Sequence, residues 1–208
     1  MVDAVQIIEG APDSAVADWL EARLGAALAA RHGTVAICVP GGSTPFPILA
    51  ELVRRDLAFD RLEVWPNDDR IVPEDHEASN TGKLRALLEP AGARVVALAE
   101  DGTPPRFALT WLGMGADGHI ASLFPNTDPR ADDPRRVRRL TPDPLPPHAP
   151  FDRITLTIPA LLDCAALLFV IRGNDKRAVF DAAAAGASDL PVARLLAART
   201  AQPVTCFA

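Results

Sequence analysis

The stretch Leu112-Gly113-Met114-Gly115-Ala116-Asp117-Gly118-His119-Ile120 sets an imidazole and a carboxylate inside a run of three glycines. Such spacing permits positive φ and lets the backbone approach a ligand closely. The run follows Arg106-Phe107-Ala108-Leu109-Thr110-Trp111, a short apolar stretch with strand character. An apolar segment resumes at Ile120, where the pattern predicts the start of a helix. A strand, a glycine turn bearing His and Asp, and then a helix is how α/β enzymes present catalytic groups at the carboxyl ends of strands. Gly113, Gly115 and Gly118 also match the Gly-x-Gly-x-x-Gly pattern of dinucleotide sites. The acidic residue that such a site needs about 20 residues further on would fall in a Pro/Arg/Asp-rich segment, so no nucleotide site is expected.

A second stretch suits anion binding. Pro40-Gly41-Gly42-Ser43-Thr44-Pro45 follows the apolar run Thr34 to Val39. Thr44 is placed to cap a helix whose first residue is Pro45, the favoured helical position for proline. The backbone N–H groups of Gly42, Ser43, Thr44 and Phe46 and two hydroxyls are then free at a helix start, where donors and dipole favour phosphate. An ordinary strand–turn–helix junction would carry similar residues; the paired glycines beside Ser-Thr favour the phosphate reading.

Two further strand ends carry charge. Arg61 to Trp65 delivers Asn67-Asp68-Asp69-Arg70, and Ala165 to Ile171 delivers Arg172-Gly173-Asn174. Asn174 is expected to cap a helix with Lys176 in its first turn. A cation there opposes the helix dipole, and an anionic ligand at the same edge would compensate.

The elements that must position these groups alternate along the chain. Strands are expected at Val5–Ile8, Thr34–Val39, Arg61–Trp65, Arg94–Leu98, Arg106–Trp111, Arg153–Ile158, Ala165–Ile171 and Pro203–Phe207. The near-continuous apolar runs are those of strands buried on both faces. Helices are expected from Asp13 (as cap, with Val16, Leu20, Leu24 and Leu28 on one face), from Pro45, from Ser79 as cap, at Pro159–Asp163, after Asn174 and at Pro191–Arg199. Asn126 to Pro150, rich in proline and with arginines 130, 135, 136, 138 and 139, is expected to be a loop. This alternation implies a single three-layer α/β/α domain over residues 1–208 with a mainly parallel, Rossmann-like sheet.

Composition limits the function classes. The chain has 208 residues, 49% of them apolar, enough for a buried core. A net charge of −6 argues against nucleic acid or an anionic membrane as partner. Cys38, Cys164 and Cys206 lie in or beside apolar segments, with neither a disulfide pattern nor a metal-ligand spacing. Free buried thiols and an N-terminus without a basic-then-apolar signal pattern suit the cytoplasm.

Taken together, the motifs resemble the 6-phosphogluconolactonase members of the glucosamine-6-phosphate isomerase/6-phosphogluconolactonase family. The resemblance rests on Gly41-Gly42-Ser43-Thr44-Pro45, Asp68-Asp69-Arg70 with Val72-Pro73, Ser79-Asn80, Gly113 through Pro125, Arg153-Ile154-Thr155, and Gly173 with Lys176. They run in the family's order from about Pro40 to Ala178. The related deaminases continue Gly-x-Asp-Gly-His with Phe-Asn-Glu-Pro, where this chain has Ser122-Leu123-Phe124-Pro125. The family more often has Glu at the position of Asp69, and a helix between Leu98 and Phe107 that is missing here.

The resemblance implies hydrolysis of 6-phospho-D-glucono-1,5-lactone to 6-phospho-D-gluconate, a step of the oxidative pentose phosphate pathway, without metal or redox cofactor. Ester hydrolysis needs a base that works near neutral pH, and His119 is the natural candidate. Asp117 would orient it, Asp68 is the next titratable group at the same edge, and Arg70 with backbone N–H groups of the turn would meet the oxyanion. Gly42, Ser43, Thr44, Arg153 and Lys176 would hold the phosphate. The alternatives are a glucosamine-6-phosphate deaminase-like enzyme and a non-catalytic sugar-phosphate-sensing domain. Regulators of the latter kind carry a basic helix-turn-helix segment, and none is visible in this sequence. No partner beyond the small-molecule lactone is expected, and the chain is expected to be a monomer or weak homo-oligomer.

Overall fold

The computed structural model describes residues 5–145 and 149–208. Strand β1 (Gln6–Ile8) leads into helix α1 (Asp13–Ala29), which buries Val16, Leu20, Leu24 and Leu28 from one face. Strand β2 (Val35–Val39) is wholly buried, and helix α2 (Pro45–Leu52) follows it. Strands β3 (Leu62–Pro66) and β4 (Asp68–Arg70) are separated by Asn67 alone. Helix α3 (Asn80–Leu88), strand β5 (Arg94–Val95) and strand β6 (Leu109–Leu112) come next. Strands β7 (Val137–Leu140) and β8 (Arg153–Leu156), helix α4 (Ile158–Leu162) and strand β9 (Leu167–Val170) follow. Helices α5 (Asn174–Ala184) and α6 (Pro191–Ala198) and strand β10 (Val204–Phe207) complete the order.

Seven strands form one sheet in the order β1-β10-β9-β6-β2-β3-β5, and every pair in it is parallel. One apolar cluster unites α1, α2 and α3 with one face; the other unites α4, α5 and α6 with the opposite face. This is the expected three-layer arrangement. From β2 the chain winds toward β3 and β5, then returns to place β6 on the other side of β2. The crevice at the carboxyl ends of β2 and β6 is therefore the topological switch point, where open α/β sheets bind ligands. A second sheet, β4-β8-β7, is antiparallel. Asn67 joins the two sheets: its N–H donates to Val39 O (2.9 Å) and its carbonyl accepts from Leu156 N (2.8 Å).

Several expectations are corrected. No helix begins at Ile120. Ile120 instead bridges to Met114 and Leu123, and all three side chains are buried. Ala121 takes φ 49°, a left-handed conformation that breaks a helix, and Pro125 follows too soon for one to form. The segment Asn126–Pro150 is not all loop, since it contains β7. There Arg138 pairs with Asp133, Arg139 with Asp152 and Arg136 with Asp163, and Val137 is buried. The arginines hide a short strand and are paired with carboxylates, and none of these three lines the switch-point crevice.

At the helix starts, Ser79 caps α3 as expected, accepting from Gly82 N (3.0 Å). The caps of α1 and α5 fall one residue earlier than expected, at Pro12 and at Gly173, whose φ of 98° only glycine adopts readily. The strand expected at Arg94–Leu98 is only two residues long, and no helix lies between Leu98 and Phe107.

Candidate active site

A cavity of about 250 Å³ opens at the switch point. Its walls come from four strand ends: Pro40 to Pro45 after β2, Asp68 and Arg70 on β4, Gly113 to Gly115 with His119 and Ala121 after β6, and Arg172 with Lys176 after β9. Asn80 at the start of α3 completes them. The structure thus brings together Gly42, Ser43, Thr44, Asp68, Arg70, His119 and Lys176.

The glycine turn holds His119 firmly. Gly115 N donates to His119 O (2.9 Å) and Gly118 N to Gly115 O (3.0 Å). The turn is tied to the start of α6 by Val192 N donating to Gly118 O (3.1 Å). His119 Nδ1 lies 2.6 Å from Asp117 Oδ1, and the Phe124 ring packs 4.8 Å from the imidazole. A carboxylate on Nδ1 fixes the tautomer with its proton there and leaves Nε2 as acceptor. Partial burial alone would raise the Asp117 carboxyl; the charge and hydrogen bonds of His119 outweigh it and hold Asp117 below the usual carboxylate range. Asp117 itself stands behind the histidine and does not line the cavity. The turn spends the Gly115, Gly118 and His119 N–H groups on itself. Those three are not free for an oxyanion, which leaves Arg70 as the charged donor on that side.

Strand alternation on β4 sorts its three charges. Asp68 and Arg70 line the cavity, whereas Asp69, between them, turns to α3. Asp69 accepts from Asn80 N (2.6 Å), Thr81 N (2.8 Å) and Arg70 N (2.8 Å). Its role is to hold the helix start. Asn80 in turn accepts from Arg70 Nη1 (3.0 Å) and donates to Asp68 O (2.9 Å). Gly41 presses so closely on this amide that a Cβ there would lie 2.1 Å from Asn80 Oδ1. Asp68 accepts a short hydrogen bond from Ser122 Oγ. Burial pushes the Asp68 carboxyl above its ordinary range, against the opposing pull of Ser122 and Arg70.

Arg153 is placed differently from the other anchor candidates. It stands opposite Arg70 across β4 and β8, buried and outside the cavity wall. Nη2 donates to Ala149 O (2.7 Å), and Nη1 has no partner among the described residues. Burial, and next the neighbouring Arg70, push its guanidinium below the ordinary arginine range. Thr44 occupies the cap position of α2, but its hydroxyl makes no cap bond.

Arg172 and Asn80 line the site without having been singled out as binding residues. Arg172 was marked by its position directly after a central strand. It donates to Ala11 O (3.2 Å) and Asp13 Oδ1 (3.1 Å). The wall therefore carries three cations, Arg70, Arg172 and Lys176, against one carboxylate, Asp68. Among the described residues no group of three or more His, Cys, Asp or Glu is arranged to hold a metal ion.

A parallel sheet flanked on both faces, with a cationic, histidine-bearing crevice at its switch point, defines an α/β protein built to receive a small anionic ligand. The family model for glucosamine-6-phosphate isomerases/6-phosphogluconolactonase matches residues 11–99 and 89–205. The chain belongs to that family. It is 36% identical over 218 aligned positions to a 6-phosphogluconolactonase of Mesorhizobium japonicum, covering 93% of this chain and 89% of the relative. A Pseudomonas aeruginosa 6-phosphogluconolactonase is 36% identical over 185 positions, covering 78% and 76%. The crystal structure of a 6-phosphogluconolactonase from Shewanella baltica superposes with a TM-score of 0.84 at 25% identity, covering 100% of this chain and 98% of that one.

Proposed function

We propose that this protein hydrolyses 6-phospho-D-glucono-1,5-lactone to 6-phospho-D-gluconate, with His119 activating the attacking water. The observation that carries the reading is the Asp117–His119 pair on one wall of a cavity whose other walls hold Gly42 to Thr44 and Lys176. One side offers a base and the other an anion seat, as a phosphorylated ester requires.

The residues divide the reaction as follows. Lys176, Ser43, Thr44 and the backbone of Gly42 hold the phosphate through charge and hydrogen bonds at the start of α2. Buried Arg153, directly opposite Arg70 in the neighbouring strand, adds positive potential beside it. His119 Nε2 takes a proton from water as the water oxygen bonds to the lactone carbonyl carbon. Asp117 stabilises the imidazolium that forms. Arg70, held by Asn80 and by the Ala78 carbonyl (3.0 Å), meets the tetrahedral oxyanion. When the bond from the carbonyl carbon to the ring oxygen breaks, the imidazolium returns its proton to that oxygen. No redox cofactor or metal is needed for this sequence. Nor is a covalent intermediate, because Ser122 is spent on Asp68 and lacks the strained elbow of nucleophilic serines.

The deaminase reading is not favoured, since Ser122-Leu123-Phe124-Pro125 stands where that branch has its acidic residue. Among the described residues no helix is long and apolar enough to cross a membrane. The test is a pair of assays on one preparation: lactone hydrolysis with a blank subtracted, and ammonia release from glucosamine-6-phosphate. Lactone hydrolysis alone supports the proposal. Ammonia release would transfer the chain to the deaminase branch, and binding of phosphogluconate without turnover would make it a sensing domain.

A further inference from the structure

We infer that Gly115 is a positioning residue for His119, and that its bare Cα is the seat on which the Asp117–His119 pair lies. This rests on His119 being the base.

The glycines of this protein are required for different reasons. Gly118 takes φ 76°, a conformation that disfavours side chains. Gly115 does not have positive φ, so its backbone suits any residue. What excludes a side chain is space. A Cβ on Gly115 would stand 2.2 Å from His119 Nδ1, 2.3 Å from His119 Cε1 and 2.5 Å from Asp117 Oδ1. Those atoms form the bonded edge of the pair, so the Nδ1···Oδ1 contact of 2.6 Å runs across the open face of Gly115.

The backbone is held in place, so the partly exposed ends of the His119 and Asp117 side chains must give. Gly115 N donates to His119 O, and Gly118 behind it is packed so that a Cβ would lie 2.8 Å from Leu190. On the ring, Phe124 limits how far the imidazole can swing. A methyl at position 115 must therefore displace the imidazole or part it from Asp117. Either outcome moves Nε2 from its place in the cavity wall and frees the tautomer. The phosphate-binding wall, built on α2 and α5, is untouched.

The experiment compares Gly115→Ala with His119→Ala. Gly115→Ala should lower kcat toward the level of His119→Ala, a loss of about 10²–10⁴-fold, while KM stays within about twofold. It should also abolish the downfield proton resonance of the carboxylate-bonded Nδ1–H, identified by its loss in His119→Ala. In the double variant the second substitution should cost nothing further. Near-normal kcat and an intact resonance in Gly115→Ala, with His119→Ala inactive, would overturn the positioning role and leave the base assignment standing. Full turnover in His119→Ala would instead overturn the base assignment. Should Gly115→Ala fail to fold, the double variant decides: with the imidazole gone the exposed Asp117 side chain is free to turn away from the methyl, so it should fold as His119→Ala does. Failure of both to fold would show that Gly115 serves the backbone alone, against the inference.

Discussion

Arg70 and Arg153 stand directly opposite each other in the antiparallel β4–β8 pair, and the Asp68 carboxylate lies within the field of both. Like charges in facing positions destabilise a strand pair, and the carboxyl groups of Asp68 and Asp69 beside them oppose that repulsion. Lys176 lines the same cavity as Asp68 and Arg70.

Lys176→Ala should raise KM for the phosphorylated lactone by far more than it lowers kcat. The lysine is assigned to a group that does not react, so it contributes equally to ground and transition states. Steady-state kinetics at fixed ionic strength checks this. An unchanged KM would remove Lys176 from the phosphate seat.

Asp68 makes stability depend on pH in a direction opposite to that of a salt-bridged carboxylate. Its folded pKa is raised by burial, so the fold loses stability as pH climbs from the ordinary carboxylate range through the folded value. Asp68→Asn removes that loss and keeps an acceptor for Ser122. Its melting temperature should exceed that of the wild type at neutral pH, and the excess should vanish below about pH 4. A melting temperature lowered at every pH would contradict this.

Asp69→Ala leaves the N–H groups of Asn80 and Thr81 without their acceptor at the start of α3. Loss of such a cap costs about 1–2 kcal/mol, a drop in melting temperature of roughly 2–8 °C for a domain of this size. Thermal unfolding reads it directly. No change would show that α3 does not depend on Asp69.

Much of this was legible before the structure. The buried runs of β2, β3, β6 and β9 announce parallel strands, and each ends in the residues that line the cavity. The glycine turn and the Pro40–Pro45 junction mark the switch point for the same reason. What was not legible depends on contacts between distant segments. The strand β7 is masked by arginines whose carboxylate partners lie 5 to 27 residues away. Arg153 reads as a phosphate ligand from its type and place in the chain, but only strand pairing shows that it is buried directly opposite Arg70. The apolar residues after His119 read as a helix, but burial of Met114, Ile120 and Leu123 draws them into a bridged turn. The roles of Asn80 and Arg172 follow from neighbours that only folding supplies.

The cysteines should be silent in the native protein. Burial pushes the Cys164 thiol up to about 11 and Cys206 up to about 12, and raises Cys38 as well. A thiol-reactive dye at pH 8 should label none of the three in buffer and all of them in denaturant. Rapid labelling of the folded protein would show that the structure opens at β2, at β10 or at the bridge between Cys164 and Phe107.

The central claim is that His119 removes the proton from water, and its most direct measurement is the blank-subtracted turnover of His119→Ala across pH. The account predicts a loss of about 10²–10⁴-fold with unchanged melting temperature and phosphogluconate affinity. It also predicts that the wild-type rate falls on acidification, because only the neutral imidazole accepts a proton. Asp117, held below the usual carboxylate range, stays ionised through that fall, so the acid limb should reflect one proton. Near-normal turnover by a folded His119→Ala, or a wild-type rate indifferent to acid, would contradict the account.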